Sequence, residues 1–120
     1  MYYRCCFILF CLVVANCDDI IEVDDITDRN VTVLAPTESS VVTGKQIIFT
    51  WEKIEEAESF HLQVATPTFS NASQVMVDTL VKGNFFTKDT LVDANYEWRV
   101  RAENSGYQTP YTYTRFIVSN

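Results

Sequence analysis

Past residue 17 the chain has no cysteine, and over its full 120 residues it has one histidine, three glycines and three prolines. The missing cysteines exclude a disulfide framework and a thiolate metal site in anything folded downstream. A single histidine, His61, has no second imidazole with which to complete a zinc site. Three glycines do not supply a phosphate-cradling loop. Basic residues are scarce as well: nine Lys and Arg stand against 16 Asp and Glu, for a formal charge of -7. They form no cluster, which argues against a nucleic-acid surface. No apolar run reaches the roughly 20 residues that a membrane-spanning helix requires.

What is present is apolar and aromatic. Hydrophobic residues make up 48% of the chain and aromatics 13%, enough to build a core and to exclude a disordered tail. The length allows one domain and a short appendage. Without disulfides, a domain of this size depends on its core alone, which favours a packed sheet sandwich over a loop-rich scaffold.

All four cysteines, Cys5, Cys6, Cys11 and Cys17, fall in the first 17 residues. Arg4 precedes the run Cys5-Cys6-Phe7-Ile8-Leu9-Phe10-Cys11-Leu12-Val13-Val14-Ala15, which fits the apolar region of a secretory signal peptide. A buried core strand is the other reading of that run. It ends in Val14-Ala15-Asn16-Cys17, followed by Asp18-Asp19, and this resembles the lipobox of bacterial lipoproteins. Asn16 departs from the Gly, Ala or Ser common at that position. The resemblance implies acylation of Cys17, and two or three acyl chains anchor firmly at about 0.8 kcal/mol per buried CH₂. From Asp18 to Arg29 there are six acids and one Arg, a self-repelling tether. Acids at Asp18 and Asp19 resemble the surface-export signal of Bacteroidetes lipoproteins, which places the domain outside the outer membrane. In enterobacterial lipoproteins, Asp directly after the cysteine instead resembles an inner-membrane retention signal, and a periplasm-facing domain stays open.

Downstream, the chain alternates. In Tyr96-Glu97-Trp98-Arg99-Val100-Arg101-Ala102-Glu103 one face is apolar and the other charged, the period-2 pattern of a half-buried strand. Shorter runs repeat the pattern at 31–36, 46–52, 60–66, 74–81, 84–87 and 113–118. Pro36 suits the first to an edge. Residues 37–44 read as a polar turn, and the charged run 53–58 as at most a helical turn, too short to be stable alone. Seven short strands with turn signals between them predict an all-β, seven-stranded antiparallel β-sandwich.

The run Ile48-Phe49-Thr50-Trp51, then Phe60-His61-Leu62-Gln63-Val64, then Leu91 and Tyr96-Glu97-Trp98-Arg99-Val100-Arg101-Ala102 resembles a fibronectin type III domain. The resemblance covers about residues 31–120. It implies that Trp51 is the core tryptophan of the second strand. It also implies that the Tyr96 hydroxyl forms the tyrosine corner of the sixth. With Trp98, these make the expected structural core. The domain organisation is thus a signal peptide at 1–16, a lipidated cysteine and acidic tether at 17–30, and the sandwich at 31–120.

Nothing in the sequence points to catalysis. His61 lies on the outward face of its strand, and no motif builds a Ser-His-Asp triad around it. Glu55, Glu56 and Glu58 occupy a charged turn rather than facing one another across a substrate. No cofactor or metal is expected. Aromatics surplus to the core are the candidates for recognition. Of Phe85 and Phe86, one must point away from the core. Tyr107, Tyr111 and Tyr113 gather around Pro110, with Tyr107 and Tyr111 the expected ligand contacts unless Tyr111 and Tyr113 simply pair across the sheet. Asp78-Thr79-Leu80 and Asp89-Thr90-Leu91 resemble Bacteroidetes O-glycosylation sites, at Thr79 and Thr90. Asn30-Val31-Thr32 and Asn71-Ala72-Ser73 match the N-glycosylation sequon, which has little force in a bacterial lipoprotein.

These features predict a lipid-anchored extracytoplasmic binding or spacer module, not an enzyme. It reaches the membrane through its lipid and mediates protein interaction at the cell envelope. The alternative is a surface glycan-binding accessory of a nutrient-uptake system.

Overall fold

Residues 22–120 are described in the computed structural model, and Cys17, Asp18 and Asp19 lie outside them. The described chain forms eight strands: β1 (Val33–Ala35), β2 (Ser40–Val42), β3 (Gln46–Trp51), β4 (Ser59–Thr66), β5 (Gln74–Val81), β6 (Phe85–Asp89), β7 (Ala94–Glu103) and β8 (Thr112–Val118). They divide into a three-stranded sheet, β1-β3-β6, and a five-stranded sheet, β2-β8-β7-β4-β5. Every pairing is antiparallel except β2 with β8.

The eighth strand corrects the expected seven. β2 lies within the stretch read as a turn, and three residues are too few to show an alternation. Ser39, at φ 64, turns the chain, and Ser40, Val41 and Val42 then run parallel to Phe116, Ile117 and Val118. The charged run 53–58 makes a turn, closed by Ala57 N–H donating to Ile54 C=O at 3.2 Å, and not a helix. A second difference lies upstream. Ile26, placed by its sequence in the tether, is fully buried in the core, so the packed unit reaches back beyond Val31. It is held there by Arg29 Nη1 donating to Glu55 C=O and by Asn104 Nδ2 donating to Asp24 C=O, both 2.9 Å.

The core lies between the two sheets and is mostly aromatic. Phe49 of β3 meets Trp98 of β7 edge-on at 5.1 Å and Phe116 of β8 at 5.7 Å. Trp51 packs on Phe60 at 5.6 Å, and Tyr96 stacks on Phe116 at 5.5 Å. Aromatic pairs in these geometries add about 0.5–1.5 kcal/mol beyond the area they bury. The two tryptophans differ in one respect. Trp98 Nε1–H donates to Pro36 C=O at 3.2 Å, tying β7 to the end of β1. Trp51 Nε1–H is buried without a partner. The Tyr96 hydroxyl donates to Val92 C=O at 2.6 Å and so pins the β6–β7 connection. Leu91, in the same connection, plugs the core.

Candidate functional site

The inward face of the five-stranded sheet is consumed by the core, so its outward face is where side chains remain for recognition. Strand register arranges that face in rows. One row runs Asp78, Gln63, Arg99, Tyr113 across β5, β4, β7 and β8. The row on one side runs Leu80, His61, Arg101, and Tyr111 enters beside it just before β8. The row on the other side runs Val75, Ala65, Glu97, Arg115.

Arg99 is the hub. Its guanidinium lies 4.1 Å from the ring centre of Phe69, 4.5 Å from Tyr111 and 5.5 Å from Tyr113. Its Nε donates to Gln63 Oε1 at 2.6 Å and its Nη1 to the Tyr113 hydroxyl at 3.0 Å. Arg101 covers the Tyr111 ring as well, at 4.7 Å, while its Nε donates to Glu103 Oε2 at 2.9 Å. Stacking of this kind uses the planar, weakly hydrated guanidinium, and lysine does not reproduce it. Tyr113 packs edge-on against both Phe69 and Tyr111.

Phe69 reaches this face because Glu97 draws its loop in. Glu97 is outward-facing on β7 yet buried. Its Oε1 accepts from Phe69 N–H at 2.9 Å, and its Oε2 lies 3.5 Å from Arg115 Nε. A carboxylate so placed keeps its hydrogen-bond partners while the loop covers it.

His61 is wired on both sides. Its Nε2 is 2.6 Å from Asp78 Oδ1, and its Nδ1 is 3.1 Å from the Tyr111 hydroxyl and 3.8 Å from Glu103 Oε2. In the neutral imidazole, Nε2–H donates to Asp78 and Nδ1 accepts from Tyr111. The hydrogen bond from His61 holds the Asp78 carboxyl below its usual range. Burial pushes the Tyr111 hydroxyl up, against the opposing pull of Arg101 and Arg99. The Asp78-His61-Tyr111 chain links β5, β4 and the entry to β8 across the outward face. Among the described residues, no group of three or more His, Asp and Glu side chains converges on a metal position. No helix of the described residues is long and apolar enough to cross a membrane.

The structure separates the expected contacts. Tyr111 belongs to the ladder, but it does not pair across the sheet with Tyr113. The two are neighbours along one edge, and each faces an arginine of β7. Tyr107 stands in the turn after β7, 37% exposed, where its N–H donates to Asn104 Oδ1 at 2.8 Å. It shares a recess with Thr27 and Gln108, apart from the ladder. Phe85 is exposed and Phe86 packs on the core. Thr79 is half-buried on β5, and Thr90 is exposed at φ 62 after β6. Trp51, Tyr96 and Trp98 are all buried.

No family model matches the chain, and no curated protein does. Solved structures do. The fn3 domain of human collagen alpha-1(XX) chain aligns at a TM-score of 0.57 and 16% identity, over 77% of this chain and 83% of that one. FN3tt aligns at 0.54 and 10% identity, over 74% and 95%. A computer-based redesign of a β-sandwich protein aligns at 0.52 and 21% identity, over 77% and 93%. No enzyme family is indicated by these likenesses. The chain has the fold of a fibronectin type III domain.

Proposed function

We propose that this is a lipid-anchored, extracytoplasmic binding module that mediates protein interaction at the cell envelope. Its contact surface is the outward face of β4, β7 and β8. The observation that carries the reading is the ladder of Phe69, Arg99, Tyr113, Tyr111 and Arg101. Arg and Tyr are the residue types over-represented where interfaces concentrate their energy, and rigid, pre-stacked side chains lose little entropy on binding. The glycan alternative has less support, because a sugar stacks on an open aromatic face and the Tyr111 ring already carries two guanidinium groups. Cys17 supplies the anchor and the acids that follow it the tether and the export signal.

Replacing Tyr113 with a photocrosslinking residue in intact cells tests the surface. One partner is expected, lost when Arg99 becomes Ala. Adducts that are absent, or indifferent to Arg99, remove the reading. The anchor is checked by Cys17→Ala, which is expected to release the domain from the membrane fraction. Protease shaving of intact cells distinguishes the surface from the periplasm.

A further inference from the structure

Arg99 differs from its neighbours in its charge environment. Arg101 has Glu103 at 2.9 Å and Arg115 has Glu97 at 3.5 Å. Among the described residues, no carboxylate lies within 4.0 Å of the Arg99 nitrogens. Of its five N–H donors, two are used, on Gln63 and Tyr113. The remaining three, one on Nη1 and both on Nη2, are held in place by the aromatic rings around them. A guanidinium with no carboxylate in contact, in a chain with a formal charge of -7, is pre-organised for a carboxylate from elsewhere.

A place for that carboxylate lies alongside. A cleft of about 410 Å³ is lined by Phe69, Ser70, Glu97, Arg99, Tyr113 and Arg115. Arg99 stands on one side of Tyr113 and the 63%-exposed Arg115 on the other. Glu97 sits between them with both oxygens engaged. Its charge leaves the cleft's lining with a net of one positive, which a monoanionic carboxylate neutralises. Apolar side chains lie further out on the same outward face: Ile117 is exposed on β8 beyond Arg115, and Val75 is exposed in the row of Arg115, three strands away on β5.

We propose that this cleft receives a Glu or Asp side chain of an acidic, apolar-flanked peptide segment of the partner. The carboxylate pairs with the free Nη edge of Arg99, and the flanking apolar residues rest on Val75, Tyr113 and Ile117. This rests on the reading of the outward sheet face as a protein-contact surface and names the chemistry of its partner. Acidic polysaccharide is the competing source of carboxylate, and the exposed valine and isoleucine favour peptide over sugar.

The test uses the full-length chain in detergent with ¹⁵N-labelled arginine. Four probes are titrated: acetate, the peptide acetyl-Val-Glu-Val-Glu-Val-amide, its Gln counterpart and oligogalacturonate. The Arg99 Nε–Hε resonance is expected to shift saturably with acetate and with the Glu peptide, and not with the Gln peptide. The Glu peptide is expected to bind about tenfold more tightly than acetate. Arg99→Lys, which keeps the charge but loses the fork, is expected to weaken the peptide by roughly tenfold, and Glu97→Gln to strengthen it. Equal binding of the Glu and Gln peptides, or shifts confined to Arg101 and Arg115, overturns the proposal. Tighter binding of oligogalacturonate than of the Glu peptide also overturns it, in favour of an acidic glycan. The comparison of the Glu and Gln peptides is read on the unmodified chain, so it decides the proposal even where a variant does not fold; binding to the variants is read from the Arg115 resonance, since Arg99→Lys removes that of Arg99. A crosslinked partner without carboxylate selectivity defeats only this inference. Carboxylate selectivity without a crosslinked partner defeats only the broader reading.

Discussion

Single atoms explain much of how the sandwich is held. The Tyr96 hydroxyl donates to Val92 C=O, so Tyr96→Phe is expected to cost about 0.5–1.5 kcal/mol in denaturant unfolding. Burial, helped by the Asp93 charge, raises the ionisation of Tyr96 above the usual value of 10.0. The stability it contributes is then full below about pH 10 and lost as pH rises through the higher folded value. The Phe variant is expected to show a flatter alkaline decline, measured as unfolding midpoint against pH. The tryptophans make a sharper pair. Trp98→Phe leaves Pro36 C=O without its donor, whereas Trp51→Phe removes an indole N–H that has no partner. Both open a cavity, but Trp98→Phe is expected to be the more destabilising by about 1–3 kcal/mol. Equal losses would mean that the Pro36 contact contributes nothing. Trp51, Tyr96 and Trp98 were legible as core because each falls on the apolar side of a period-2 run. The orphaned Trp51 nitrogen was not, since a hydrogen-bond partner depends on which distant backbone comes near.

Elements show where alternation stops being informative. β3, β4 and β7 are long enough for their buried and exposed faces to be read directly. β2 is three residues long and exists only because β8 offers an edge to it. The stretch around Ile26 carries acids on both sides and reads as solvated, yet that one side chain fills the core. Ile26→Ala is expected to destabilise the domain by about 2–5 kcal/mol, as for other buried isoleucines. A tether role alone predicts no change in the melting midpoint. Hydrogen exchange would add to this: amides of Arg29 and Asn104, which bond to Ile26 and Tyr107 carbonyls, are expected to lose protection in the same variant.

For the whole molecule, side chains of the outward sheet face also contribute to stability. Asp78, 55% exposed, is held below its ordinary 3.8 first by the hydrogen bond to His61. That contribution is complete above about pH 3.8 and disappears as pH falls through the lowered folded value. Asp78→Asn is expected to shallow the loss of stability on the acid side, read from melts between neutral pH and the acid limb. It is also expected to loosen Tyr111, which His61 links to Asp78. An acid limb unchanged in the variant would mean that the ion pair is too well screened to matter.

By itself the sequence determined the all-β class and the buried strand faces, because each is a local pattern of side-chain type against strand period; the tyrosine corner entered only as what the resemblance implies. The proposed acylation and export signals at Cys17, Asp18 and Asp19 lie outside the described residues. Tertiary structure alone decided which outward side chains meet. Arg99 and Arg101 read as the wet side of a strand, Tyr111 and Tyr113 as a loop and its exit, and Phe69 as a loop residue between strands. Antiparallel register brings the arginines and tyrosines together, and Glu97 draws Phe69 over them. A signal existed in the matching two-residue spacing of Arg99 and Arg101 and of Tyr111 and Tyr113. It becomes readable only when β7 and β8 are known to pair, because side chains on successive strands meet through the sheet and not through the chain.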